Sequence, residues 1–137
     1  MLAACVGACR ALAQFYSLLA QDKADGGARV LSKETIDAAT TKVSNLFGGG
    51  YGLGFNLTSS GASVPGQQPG TFGHGGLGGH LSFGDPAAKM GFAYTMNLCV
   101  GGARAPGPRL QKLAYECLAK AELVDLAKWA APPTSAI

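Results

Sequence analysis

Eighteen of the chain's 21 glycines lie between Gly48 and Gly107. A glycine inside a helix or strand costs conformational entropy and packs nothing. A segment this bare is a poor helix. Where it is extended, it invites the close approach of another backbone or a ligand. The flanking regions must then supply the core. Apolar residues make up 47% of the 137 positions and charged residues 14%, against about 25% charged in an ordinary soluble domain. This balance excludes disorder driven by low hydrophobicity and high charge. The length suits one domain and is too short for two. No apolar run approaches the roughly 20 residues of a membrane-spanning helix. Net charge is +3. The Lys and Arg residues are scattered, so the basic stripe of a nucleic-acid-binding protein is absent from the sequence.

Residues 5–21 have the pattern of an amphipathic helix, with Leu12, Phe15, Tyr16 and Leu19 on one stripe. Asp25-Gly26-Gly27 ends it. Ser32 is placed to cap a short helix through Glu34, Ile36 and Ala39, stopping near Lys42. Tyr51, Leu53, Phe55 and Leu57 alternate with Gly52, Gly54 and Asn56, which predicts one strand with a bulky face and a bare one. Residues 58–70, rich in Ser, Gly, Pro and Gln, predict a surface loop. Residues 71–84 follow as a glycine-rich extended stretch. A turn over 85–89 opens at Asp85-Pro86 and leads to a strand over 90–98, which predicts an antiparallel hairpin. Pro106 and Pro108 introduce a last helix, whose 3.6 period puts Leu110, Leu113, Ala114, Cys117, Leu118 and Ala121 on its buried side. Trp129 is placed to pin that helix to a sheet, and Pro132-Pro133 ends it before a frayed tail, 132–137. Helices set apart from an antiparallel sheet predict an α+β fold in a single domain, 1–131.

The four cysteines, at 5, 9, 99 and 117, form no C-x-x-C pair. They are expected to be reduced and partly buried thiols. Residues 1–6 carry no charge, and Arg10 interrupts the apolar stretch, so the pattern of a secretory signal is missing and the compartment stays open.

The most unusual stretch is Gly73-His74-Gly75-Gly76-Leu77-Gly78-Gly79-His80. A phosphate-binding loop would need a helix after the glycines, and a strand is predicted there. Zinc held by His74 and His80 would need a third ligand, which the neighbouring sequence does not offer. The two remaining readings are an active-site strand that begins at a proton-handling or hydrogen-bonding His, and a glycine strand packed under a helix for structural reasons.

Phe72-Gly73-His74-Gly75-Gly76-Leu77-Gly78-Gly79, then Phe83-Gly84-Asp85-Pro86, then Gly91-Phe92-Ala93-Tyr94-Thr95-Met96-Asn97 resembles the C-terminal part of the serine β-lactamase-related family. That family includes class C β-lactamases, penicillin-binding proteins and esterases. The runs 11–20, 31–36 and 51–55 match it in the same order, so the resemblance covers about residues 8–120. It implies a partial β-lactamase/transpeptidase-like fold, with antiparallel strands flanked by an N-terminal helical region and a C-terminal helix. It also implies acyl transfer from an ester or amide to a serine and then to water, with no cofactor and no metal. Three family motifs build the site: Ser-x-x-Lys, Tyr-x-Asn, and Lys-Thr-Gly or His-x-Gly. By resemblance His74-Gly75-Gly76 is the third motif, with His74 in the lysine's place. Leu77 then matches the residue whose backbone N–H forms half of the oxyanion hole.

Ser-x-x-Lys and Tyr-x-Asn occur nowhere in the 137 residues. His80 stands where relatives usually carry a small residue. In family order the nucleophile and the inserted helical domain precede a segment like this one. The resemblance therefore implies a trailing portion of the fold that exposes a sheet edge and an apolar helix face, and that is marginally stable alone. The missing N-terminal half or a second copy is the expected partner, and a small acyl compound is the substrate once the site is complete. A truncated, non-catalytic protein that binds or stabilises a partner is the alternative.

Overall fold

The computed structural model describes residues 8–21, 29–46, 49–57, 68–76, 78–98, 100 and 104–123. The elements run α1 (Cys9–Ala20), α2 (Lys33–Thr40), β1 (Ser44–Leu46), β2 (Gly49–Tyr51), β3 (Asn56–Leu57), β4 (Phe72–Gly75), β5 (Leu81–Asp85), β6 (Met90–Tyr94) and α3 (Pro106–Lys120). The six strands form one sheet in sequence order, each antiparallel to the next. The fold is α+β, with helices on both faces of the sheet. No helix among the described residues is long and apolar enough to cross a membrane.

Strand β5 sets the layers, because neighbouring residues point to opposite faces. On one face, Gly84 lies under α1. A Cβ there would stand 2.9 Å from the Tyr16 carbonyl oxygen and 3.2 Å from Ala20 Cβ. Its partner across the ladder is Gly91 on β6, where a Cβ would overlap the Ala13 carbonyl oxygen and the Ser17 amide nitrogen. The glycine pair therefore brings the α1 backbone directly onto the sheet. Tyr16 and Leu19 then bury against Leu57 and Phe72, with Ile36 of α2 and Phe55 at the margin.

On the other face, Leu81 and Phe83 form a second cluster with Tyr115 of α3, flanked by Met90, Phe92 and Leu118. The Phe83 ring stacks on Phe92, with centroids 5.1 Å apart, and lies nearly parallel to Tyr115 at 6.2 Å. The carboxyl of Asp85 is fully buried. Its Oδ2 accepts the Tyr115 hydroxyl, and its Oδ1 accepts the Ala88 N–H at 2.9 Å. This one side chain ties α3 to the β5–β6 turn.

Several expectations hold. The first helix, the hairpin after Asp85 and the last helix are present. Ser32 caps α2 by accepting the Thr35 N–H at 3.2 Å. The Glu34 carboxyl in that first turn is held below its ordinary pKa, first by a backbone hydrogen bond and then by Ser32. A depressed carboxylate pKa stabilises above the unfolded value, so this contribution is present at neutral pH and fades in acid.

Other expectations are corrected. The predicted strand over 51–57 is two strands, β2 and β3, joined by a turn. Gly54 has φ +87°, a left-handed conformation that favours glycine, and Gly52 N–H donates to the Phe55 carbonyl at 2.9 Å. The stretch 71–84 likewise divides into β4, a turn and β5, and β1 was not anticipated. Strand β6 stops at Tyr94 rather than 98. The next two amides leave the ladder: Thr95 N–H goes to Cys9 Sγ at 3.2 Å and Met96 N–H to His80 Nδ1 at 3.4 Å. Helix α3 is turned away from its predicted face. Gly107, Gln111 and Tyr115 are buried, while Leu110, Leu113 and Cys117 are exposed. The Tyr115–Asp85 bond and the close seating of Gly107, where a Cβ would stand 2.6 Å from the Gly79 carbonyl oxygen, fix that rotation. Phe15, expected inside, is 44% exposed. Residues 5–7, Gly26, Gly27, Trp129 and the tail 132–137 lie outside the described residues, as do Cys5 and Cys99.

Two substitutions test this account by urea unfolding followed by circular dichroism. Gly91→Ala must push α1 off the sheet and should cost about 3 kcal/mol. Tyr115→Phe leaves a buried carboxyl oxygen without its donor and should cost about 2 kcal/mol. A loss below about 0.5 kcal/mol in either, the range of ordinary surface substitutions, would contradict the packing described.

Candidate active site

The seating of α1 opens a cleft of about 270 Å³ at one end of the sheet. Leu12, Phe15 and Tyr16 of α1 form one wall. The opposite wall is the end of β4, His74-Gly75-Gly76, with His80, Leu81 and Ser82 beside it, and Tyr94 and Thr95 close the cleft. None of these lining side chains is an Asp, Glu, Lys or Arg. A cleft of this composition suits a neutral, largely apolar group with a few polar atoms.

The backbone of β4 is paired unevenly here. Gly76 turns both its groups to the β5 side: its N–H donates to the His80 carbonyl at 2.8 Å, and its carbonyl accepts the Gly79 N–H at 3.0 Å. Alternation along a strand directs the backbone groups of Gly75 to the opposite edge. The β3–β4 ladder ends at Gly73, so no strand among the described residues pairs with Gly75 on that edge. The N–H of Gly75 therefore lies on an unpaired edge beside the cleft, while its carbonyl faces the His74 imidazole.

The two imidazoles are held differently. His74 is exposed, stands edge-on to Tyr51 with ring centroids 6.5 Å apart, and has Nδ1 within hydrogen-bonding distance of the Gly75 carbonyl. A carbonyl only accepts, so Nδ1 donates, and neutral His74 keeps Nε2 as an acceptor. His80 is half-buried, and its Nδ1 accepts the Met96 N–H, so neutral His80 carries its proton on Nε2. In their neutral forms one ring offers an acceptor and the other a donor. Among the described residues no three His, Cys, Asp or Glu side chains gather to hold a metal ion.

Of the residues singled out in the sequence, His74, Gly75 and Gly76 come together on one cleft wall. Leu77 lies outside the described residues. Sequence reasoning missed the opposite wall and the closing end: Phe15 and Tyr16 read as core, and Tyr94 and Thr95 read as part of a longer strand. The early end of β6 at the Cys9–Thr95 contact places Thr95 at the cleft, and no sequence period carries that signal.

The β-lactamase family profile matches residues 3–116. The chain superposes on the crystal structure of a family VIII carboxylesterase with a TM-score of 0.65 and 31% sequence identity, over 78% of this chain and 31% of that one. It also superposes on EstA from Arthrobacter nitroguajacolicus Rue61a with a TM-score of 0.56 and 22% identity, over 79% of this chain and 32% of that one, which is a likeness of fold. No curated protein sequence matches. The chain spans about a third of the length of these solved structures. With the profile match over most of its length, a six-stranded antiparallel sheet between helices and the His-Gly-Gly strand at a cleft, this chain belongs to the β-lactamase family.

Proposed function

We propose that this chain supplies the third-motif wall of a serine acyl-transfer site that hydrolyses small neutral esters. The observation that carries this reading is the unpaired edge of β4 at Gly75 beside a cleft with no Asp, Glu, Lys or Arg in its lining. An ester acyl group lies along such an edge. His74, in the lysine's place, contributes a hydrogen bond next to the reacting centre, and the backbone N–H of Leu77 stabilises the developing oxyanion. Hydrolysis proceeds through attack of a serine hydroxyl on the ester carbonyl, release of the alcohol, and attack of water on the acyl-enzyme. The family resemblance puts that serine in a Ser-x-x-Lys motif. The 137 residues contain none, so the serine belongs to sequence outside them, in a longer form or in a partner chain. The chain alone is inactive on this reading. Esters are favoured over β-lactams and D-alanyl peptides because those carry a carboxylate, and no Lys or Arg lines the described cleft. The likeness to a family VIII carboxylesterase supports the same choice.

The test is covalent labelling with a fluorophosphonate of the native species that contains this sequence, followed by peptide mapping. The adduct should fall on a serine outside the 137 residues, and the recombinant 137-residue chain should take none. The labelled species should hydrolyse p-nitrophenyl butyrate in preference to a chromogenic cephalosporin. Gly76→Val drives side-chain atoms into His80, whose Cβ stands 3.2 Å from where a Cβ at 76 would sit. It should slow labelling about 100-fold through misplacement of the strand. A native species that takes no probe would overturn the reading in favour of a non-catalytic, partner-stabilising protein.

A further inference from the structure

The family's third motif accounts for His74, Gly75 and Gly76, and leaves His80 without a role. We infer that His80 is a specificity-determining residue, whose imidazole limits the length of the acyl group that fits beside the third-motif strand. This assignment rests on the ester-hydrolase reading given above.

Gly76 and His80 face each other across the turn that joins β4 to β5, with Gly76 N–H bonded to the His80 carbonyl at 2.8 Å. A Cβ at Gly76 would stand 3.2 Å from His80 Cβ, 3.5 Å from Cδ2 and 3.7 Å from Cγ. The ring therefore lies over the space that the missing side chain of Gly76 leaves bare. That space belongs to the cleft lined by His74, Phe15 and Leu81. The ring is also restrained, because Nδ1 accepts the Met96 N–H just beyond the end of β6. A half-buried ring tied to a second strand's end cannot swing aside without leaving that amide without its acceptor. His80 thus acts as a fixed stop rather than a mobile gate.

The experiment compares kcat/KM for p-nitrophenyl butyrate and p-nitrophenyl octanoate in the native species, with fluorophosphonate labelling to show that each variant's site is assembled. His80→Ala should raise the octanoate-to-butyrate ratio about tenfold or more, the size of effect that a few methylenes in a pocket carry. His80→Asn, which is smaller than His but keeps an acceptor for the Met96 N–H, should raise it by about threefold or more, and it decides the matter if the Ala variant does not assemble. A ratio within about twofold of wild type in a labelled variant overturns the assignment while leaving the hydrolase reading intact. A wild-type species that takes no probe overturns both, so the two failures are told apart by the label.

Discussion

The contact on which the rest of this structure depends is the seating of α1 on the bare face of β5 and β6. Gly84 and Gly91 face each other across the ladder, and any side chain at Gly91 would run into the α1 backbone. That approach puts Tyr16 and Leu19 into the core and leaves Leu12 and Phe15 to wall the cleft. It also brings Cys9 to Thr95, which ends β6 and frees Met96 N–H for His80. Core, cleft and the restraint on the second histidine all follow from two missing side chains.

The opposite face is held by a different kind of interaction. Burying a carboxyl group is costly unless its oxygens are partnered. Both oxygens of Asp85 are, one by the backbone of its own turn and one by Tyr115. Helix α3 is thereby fixed in rotation, and its apolar residues Leu110 and Leu113 are left outward, Leu113 being 54% exposed.

How much of this was legible in the sequence depended on whether a local pattern controlled the outcome. The cap at Ser32, the hairpin after Asp85-Pro86 and the existence of α1 follow from short-range periodicity and turn chemistry. The division of 51–57 into two strands did not, because a turn built on Gly52 and Gly54 mimics the period of a strand. The inward face of α3 was also hidden. Its buried residues are a glycine, a glutamine and a tyrosine, and partners distant in sequence select them. The same holds for the site. The His-Gly-Gly strand was visible as a motif, whereas Phe15 and Thr95 reach the cleft only through the packing of α1.

The central claim is that this chain forms one wall of an acyl-transfer site whose serine lies outside its 137 residues. Intact-mass spectrometry of the fluorophosphonate-labelled species from its native cells tests that claim most directly. The adduct is expected on a polypeptide other than a 13.8 kDa one, either a longer form of this sequence or a partner that co-purifies with it. An adduct on the 13.8 kDa chain itself would contradict it.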